Sequence, residues 1–211
     1  MQYGPKLVRE LARLSPSPVY IRVHHLLCTG DGTAALKWGS TNAYTEDASG
    51  RPVYDWTIVD RIFDTYIRAG AKPFVEIGFM PEALSIHPQP YARNWPKPDD
   101  GQGWSYPPKD YARWGELVRQ WVLHSIRRYG RREVESWYWE VWNEPDISYW
   151  KGTAEEYDQL YDYAAAALKS ALPSARIGGP ATTSRLSHAG HQRHRQAGAE
   201  CLPHAGNDAG R

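Results

Sequence analysis

The chain has 211 residues, of which 41% are hydrophobic and 23% are charged, with 25 Lys and Arg against 24 Asp and Glu. This composition is typical of a globular domain, and the near-zero net charge gives no electrostatic reason to bind nucleic acid or an anionic membrane. No apolar run approaches the roughly 20 residues of a membrane span, and residues 1–6 show no apolar signal core, so we expect a cytoplasmic location.

Helices and strands alternate along the first 180 residues. Apolar stripes at helical spacing predict the helices, and short runs rich in β-branched and aromatic residues predict the strands. The predicted order is helix 3–14, strand 19–24, helix from 55 to about 70, strand 72–79, helix 107–129, strand 137–142, helix 153–172 and strand 175–179.

Several residues predict where these helices begin and end. Asp55 is a candidate N-cap, Gly70 suits the position just after a helix, and Thr153 and Glu156 have the spacing of a capping box. The two segments that follow the first two strands, 29–52 and 80–106, are long and polar or proline-rich, and they are predicted to be loops.

The alternation of helix and strand predicts a parallel sheet, which is found in doubly wound folds and in (β/α)8 barrels. Loops after the strands are long and loops after the helices are short, as in a barrel whose functional face is built from the former. Neither glycine-rich phosphate motif of a nucleotide-binding doubly wound fold is present. We therefore predict an α/β fold that is a partial (β/α)8 TIM barrel, with about strands 2–5 of the eight.

The last residues differ in composition from the rest of the chain. Residues 184–211 contain two large apolar residues and no aromatic residue, so we expect a barrel domain over 1–183 and a disordered or out-of-frame tail over 184–211. Three histidines of the tail recur at every third position, at 188, 191 and 194. Without a carboxylate or an apolar scaffold beside them, we predict no metal site.

The choice of aromatic residues is unusual, with 10 Trp and 14 Tyr against 3 Phe. Trp and Tyr combine a flat apolar ring with a polar edge, which suits the flat C–H face and surrounding hydroxyls of a pyranose. The alternative is that these rings pack the helices on the sheet. Trp95, Trp104 and Trp150 lie in predicted loops and are candidate stacking platforms for a sugar, with loop packing as the alternative for each.

The segment 139–145, Trp-Glu-Val-Trp-Asn-Glu-Pro, is the most informative in the chain. Because proline cannot continue a strand, Asn143 and Glu144 lie at the carboxyl end of the strand, where barrel enzymes keep their catalytic groups. Glycoside cleavage needs an acid that protonates the leaving oxygen, and an amide can donate a hydrogen bond to a sugar 2-hydroxyl. The alternative for Asn-Glu-Pro alone is a strand end followed by a helix cap.

Segment 139–145 resembles the acid/base strand of the retaining (β/α)8 glycosidases of clan A. Further similarity at 21–24, 52–56, 72–81 and 107–111 resembles glycoside hydrolase family 39, which contains β-xylosidases and α-L-iduronidases, and the β-xylosidase motifs look closer. The resemblance runs from about residue 6 to residue 180. It implies a hydrolase without cofactors that acts on an oligosaccharide or a smaller glycoside.

The resemblance also implies roles for individual residues. Glu144 corresponds to the acid/base, Asn143 to the neighbouring substrate-binding asparagine, and His24 to a sugar-contacting histidine at the end of the second barrel strand. Glu76, in the middle of a predicted strand, is expected to be a buried pairing group rather than a catalytic one.

The family's nucleophile is a glutamate at the end of the seventh strand, and the resemblance does not extend that far. Glu200 is not in a convincing strand, so we do not assign it that role. The sequence therefore predicts a retaining, exo-acting β-1,4-xylosidase represented by an N-terminal part that is inactive alone. The alternatives are a carbohydrate-binding remnant without catalysis and an inactive truncated product.

Overall fold

A computed structural model describes residues 3–23, 25–32, 40–87 and 105–183. Within these residues the helices and strands alternate largely as predicted, with a short 3-10 helix at Glu82–Leu84. The helices are Tyr3–Leu14 (α1), Thr57–Arg68 (α2), Tyr111–Tyr129 (α3), Arg131–Glu135 (α4) and Ala154–Ala171 (α5), and the strands are Tyr20–Val23 (β1), Tyr44–Glu46 (β2), Pro52–Tyr54 (β3), Lys72–Ile77 (β4), Tyr138–Val141 (β5) and Arg176–Gly178 (β6).

Four strands form one parallel sheet in the order β1-β4-β5-β6. Val75 of β4 lies opposite Val23 on one side and Trp139 on the other, and Trp139 lies opposite Ile177 of β6. Because the strands are in register and side chains alternate along each strand, these four apolar residues share one face of the sheet. The strands are therefore ordered as in a stretch of barrel wall.

Helices cover the apolar face of the sheet. The ring of Trp121 in α3 meets the ring of Trp139 at a centroid distance of 5.7 Å, and Phe63 of α2 stacks on Trp121 at 6.1 Å. From α5, the Tyr157 hydroxyl donates a 2.9 Å hydrogen bond to the carbonyl of Val141 at the end of β5. These residues are buried, so the main hydrophobic core lies between this face and the helices.

The opposite face of the sheet has no such cover among the described residues. Tyr138, next to the fully buried Trp139, keeps 36% of its surface exposed, and Arg176 of β6 is exposed as well. A doubly wound fold would place helices on both faces, whereas a barrel wall has helices outside and an inner face that looks into the barrel. The observed layering therefore agrees with the predicted partial (β/α)8 barrel.

The ends of the helices confirm two of the predicted signals and correct two others. Thr153 and Glu156 form the capping box of α5, and Gly70 has a φ of 84° just after α2. The N-cap of α2 is Trp56, although the Asp55 carboxylate accepts a hydrogen bond from the Thr57 N–H at 2.8 Å. Similarly, α3 begins at residue 111 rather than at the prolines at 107 and 108.

A β-hairpin made of β2 and β3 lies within the segment 29–52 and just beyond it, where the sequence predicted only a loop. Its strands have three residues each, too few to show a periodic pattern. The Glu46 carboxylate accepts hydrogen bonds from Lys109 and Arg113, both at 2.8 Å, and thereby joins the hairpin to the start of α3. Burial alone would raise the pKa of Glu46, but hydrogen bonds from Lys109 and Tyr44 outweigh it and hold that pKa below its usual value.

Two kinds of feature are absent from the described residues. No helix among them has the length and apolar character to cross a membrane. In the same part of the chain, no group of three or more His, Cys, Asp and Glu side chains is placed to hold a metal ion.

Candidate active site

The backbone leaves β5 in an unusual conformation. Trp142 and Glu144 have left-handed φ values of 67° and 48°, which are uncommon for residues other than glycine. The Trp142 N–H still donates to the carbonyl of Ile77 at 3.1 Å, whereas the Glu144 N–H donates to the carbonyl of Ala181 at 2.8 Å. The strand therefore ends before the proline at 145, and Glu144 lies at its carboxyl end, as the sequence predicts.

Asn143 and Glu144 are brought together by their side chains. The Asn143 carbonyl oxygen Oδ1 accepts a 2.9 Å hydrogen bond from the Arg22 guanidinium, and its amide Nδ2 donates to Glu144 Oε2 at 3.3 Å. Since arginine has only donors, Arg22 fixes which end of the Asn143 amide faces Glu144. Asn143 is 3% exposed, whereas Glu144 is partly accessible.

On the inner face, Arg22 connects three neighbouring strands, β1, β4 and β5. Its Nε donates to Glu140 Oε2 at 2.5 Å, and its Nη2 lies 3.4 Å from Glu76 Oε2. Glu76 and Glu140 lie opposite each other in the sheet register, which places both carboxylates on the side of Arg22. The prediction that Glu76 is a buried pairing group is confirmed, since this residue is fully buried against Arg22.

This ion cluster has a clear electrostatic role. Two carboxylates on neighbouring strands would repel each other in a buried site, and the guanidinium between them compensates this repulsion. The third contact of Arg22, with Asn143, extends the cluster to the end of β5. Neither Arg22 nor Glu140 was predicted from the sequence to belong to the site, although a charged residue within an apolar strand is a signal that could have identified them.

Trp150, one of the candidate stacking platforms, packs the loop after β5 instead. It is 7% exposed, and its indole Nε1 donates to the carbonyl of Thr153 at 2.8 Å. Its ring meets those of Trp142 and Tyr157 edge-on, at centroid distances of 5.1 and 5.9 Å. The loop-packing alternative therefore applies to this residue.

The other predicted site residues, His24, Trp95 and Trp104, lie outside the described residues, as does the tail with Glu200. Their roles stay predictions. The residue after His24 is His25, which is fully buried with a left-handed φ of 61°. Its ring contacts that of Phe79 at a centroid distance of 4.5 Å, with the two planes tilted by 56°.

The loops after β4 and β5 meet above the carboxyl end of the sheet. The N–H of Lys151, after β5, donates to the carbonyl of Ser105, after β4, at 2.9 Å. At the same end, the Glu144 carboxylate accepts a hydrogen bond from Asn143, whose Oδ1 accepts one from Arg22 of the inner face. The arrangement offers a partly accessible carboxyl group that can donate or accept a proton, beside an amide whose orientation is fixed.

The chain is similar to one protein-family model and to several known proteins. Residues 12–193 match the model of "Glycosyl hydrolases family 39". A β-xylosidase from Geobacillus stearothermophilus is 40% identical over 167 residues, which cover 77% of this chain and 30% of that protein. An α-L-iduronidase from Homo sapiens is 36% identical over 70 residues, which cover 32% of this chain and 11% of that protein.

The fold is similar to that of a solved family 39 β-xylosidase from Caulobacter crescentus. The TM-score is 0.68 at 30% sequence identity, and the similarity covers 92% of this chain and 40% of that one. This chain thus spans less than half the length of each of these proteins. The described sheet is part of a (β/α)8 barrel, and the chain belongs to family 39 of the glycosyl hydrolases.

Proposed function

We propose that this chain supplies the acid/base half of a retaining glycosidase that acts as an exo-β-1,4-xylosidase. The observation that carries the proposal is the pair formed by Asn143 and Glu144 at the carboxyl end of β5, anchored by Arg22 on the inner face. In (β/α)8 barrel enzymes, catalytic groups are found at the carboxyl ends of the strands.

In the proposed mechanism Glu144 acts twice. It first donates its proton to the oxygen of the leaving group, and it later takes a proton from the water that hydrolyses the glycosyl-enzyme. Asn143 donates a hydrogen bond to the 2-hydroxyl of the sugar, an interaction that strengthens in the transition state. His24, Trp95 and Trp104 are proposed to contact the sugar.

A retaining mechanism also needs a carboxylate that attacks the anomeric carbon. In this proposal that carboxylate comes from a part of the barrel beyond β6. Glu76 and Glu140 are unsuited to the role, because their contacts with Arg22 hold them along the strands rather than at the strand ends. We therefore expect the 211-residue chain by itself to show no turnover.

The similarity to relatives supports a xyloside substrate over an iduronide. The Geobacillus β-xylosidase matches 77% of this chain, whereas the human α-L-iduronidase matches 32%. A xylose residue is neutral, whereas an iduronic acid residue carries a carboxylate that needs a cationic partner. Arg22 of β1 already compensates Glu76 and Glu140 and would not serve as that partner.

A hybrid enzyme would test the proposal. Residues 12–183 of this chain, the part of the family match that precedes the expected tail, would replace the corresponding part of the Geobacillus β-xylosidase, so that the rest of the barrel supplies the second carboxylate. We expect hydrolysis of xylobiose and of a nitrophenyl β-xyloside. The Glu144→Gln variant should lose roughly 10²- to 10⁴-fold in kcat/KM on xylobiose and less on the aryl substrate, whose leaving group needs little protonation.

Glu116→Gln is a matched control, because Glu116 is a half-exposed residue of α3 whose carboxylate contacts Arg119 and Gln120 on the same helix. Equal turnover of xylobiose by the Glu144→Gln hybrid and by the control would overturn the acid/base role. Binding of xylobiose without turnover by an intact hybrid would favour a carbohydrate-binding remnant instead.

A further inference from the structure

We propose that Asp146 is a positioning residue for Glu144, acting through the segment 181–183 that follows β6. This inference rests on the proposed function, because it assigns Asp146 a part in holding the acid/base. Asp146 is two residues beyond Glu144, and its carboxylate accepts three hydrogen bonds from Thr183: from the backbone N–H at 3.1 Å to each carboxylate oxygen, and from the hydroxyl at 2.9 Å to Oδ2.

The same two segments are joined at a second point. The Glu144 N–H donates to the carbonyl of Ala181 at 2.8 Å. One hydrogen bond would allow the segments to rotate about each other, whereas a second attachment, two residues further along each segment, fixes their relative orientation. We call this pair of attachments, Glu144 to Ala181 and Asp146 to Thr183, the loop clamp.

The backbone of Glu144 needs such support. Its φ of 48° is left-handed, a conformation that persists in a residue with a Cβ atom only where its surroundings impose it. The residue between Glu144 and Asp146 is Pro145, which has no N–H and so cannot contribute a backbone donor. Asp146 is therefore the first residue after Glu144 with a polar side chain, and this side chain anchors the turn to the neighbouring loop.

The clamp would act on the position of the carboxyl group. A general acid must lie within hydrogen-bonding distance of the leaving oxygen, and a displacement of about 1 Å can cost on the order of 10²-fold in rate. Asn143 fixes the Glu144 carboxyl from the inner side, and the clamp fixes the backbone from which its side chain starts. Loss of the clamp should therefore impair proton donation more than it impairs binding of the sugar.

The first test does not depend on enzyme activity. Amide hydrogen exchange in the 211-residue chain would compare the Glu144 N–H, bonded to Ala181, with the Trp142 N–H, bonded to Ile77 outside the clamp. In Asp146→Ala, exchange at Glu144 should rise at least roughly tenfold relative to Trp142. Asp162→Ala, which removes an exposed carboxylate from α5, is the control. An unchanged ratio in Asp146→Ala would overturn the clamp.

The second test uses the hybrid enzyme and two leaving groups. Asp146→Ala should lower kcat/KM roughly 10- to 100-fold on xylobiose and less than about threefold on dinitrophenyl β-xyloside, with the loss in kcat rather than KM. Asp146→Asn should lose less kcat/KM than Asp146→Ala, because the amide oxygen of asparagine can still accept a hydrogen bond from Thr183. Thr183→Val, which retains the backbone N–H, should lose less than Asp146→Ala.

Equal losses on both substrates would assign Asp146 a merely structural role and overturn the proposal. Failure of the proposed function gives a different result, namely a Glu144→Gln hybrid that hydrolyses xylobiose as fast as its control. In that case amide exchange at Glu144 still decides whether the clamp exists, and the positioning role is overturned.

Discussion

The two faces of the parallel sheet are built from alternate residues of the same strands and have opposite chemistry. The outer face carries apolar side chains such as Val75 and Trp139, which are buried by helices. The inner face carries Arg22, Glu76 and Glu140, which form an ion cluster connected to Asn143. A shift of one residue along a strand thus changes the role of a side chain from packing the fold to organising the candidate site.

Charged contacts occur on both sides of the sheet, but their surroundings differ. On the inner face Glu76 is fully buried, and Arg22 Nη2 lies 3.4 Å from its carboxylate. Between helices α2 and α3, Asp64 accepts hydrogen bonds from Arg128 at 2.8 and 3.1 Å close to the surface. Removal of one partner should therefore destabilise the protein more in the barrel wall, where a buried charge would be left uncompensated, than between the helices.

The largest effect is expected from Trp139→Ala on the outer face. Trp139 is 1% exposed, and its removal should lower the free energy of unfolding by about 4 kcal/mol because it leaves a cavity under α3. The matched change on the inner face is Tyr138→Ala, which removes contacts with Tyr20 and Phe74 and should cost about 1.5 kcal/mol. Urea unfolding followed by tryptophan fluorescence and circular dichroism would measure both.

The proposed difference between the outer and inner faces is wrong if Tyr138→Ala destabilises the chain as much as Trp139→Ala. That result would mean that the inner face is packed as tightly as the outer one. Phe63→Leu in α2 is a further control, since it changes the outer layer while retaining an apolar side chain and should cost less than Trp139→Ala.

The next effect in size is expected from Arg22→Met, which retains the length of the side chain and removes its charge. Glu76 and Glu140 would then lose their shared cation, and the free energy of unfolding should fall by about 3 kcal/mol. In the hybrid enzyme kcat should fall as well, because Asn143 loses the donor that orients its amide.

Arg22→Lys separates the two effects. A lysine keeps the positive charge but cannot reach three acceptors with fixed geometry, so most of the stability should return while kcat stays low. If Arg22→Met proves as stable as the unchanged protein, the ion cluster does not support the fold, and the contrast between buried and surface charges is wrong.

The outer face could be predicted from the sequence, whereas most of the inner face could not. The periodic pattern of α1 predicted its bounds, 3–14, and strand-like runs of apolar residues predicted β4 and β5. The contact between Arg22 and Glu140 joins residues that are 118 positions apart, so no local pattern reveals it. Glu144 could be selected as a candidate from the sequence, because its carboxyl group and its proline neighbour lie in one short segment.

The hairpin of β2 and β3 was missed for a related reason. Glu46 gains its role from Lys109 and Arg113, which belong to a distant part of the chain. The two strands of the hairpin are held by the contacts of Glu46 with Lys109 and Arg113 and by the burial of Tyr44. They have no long alternating pattern that would predict them. Short elements stabilised by distant contacts are therefore the least predictable part of this fold.

The smallest effect is expected from Asp64→Asn between the helices. The hydrogen bond from Arg128 lowers the pKa of Asp64, and although burial opposes this, the pKa stays below its usual value. A carboxyl group whose pKa is lowered by folding stabilises the protein above its unfolded pKa, and the stabilisation is lost as the pH falls through the folded pKa. At pH 7 the substitution should cost about 1 kcal/mol.

The difference between Asp64→Asn and the unchanged chain should therefore shrink below about pH 4, where the unfolded carboxyl group becomes protonated, and vanish at lower pH. Urea unfolding at pH 7, 4 and 3 would measure it, with Asp162→Asn on the exposed face of α5 as the control. The activity of the hybrid should not change, since Asp64 lies on the helix side of the sheet. A loss at pH 7 as large as that of Arg22→Met would show that position relative to the sheet does not determine the strength of these charged contacts.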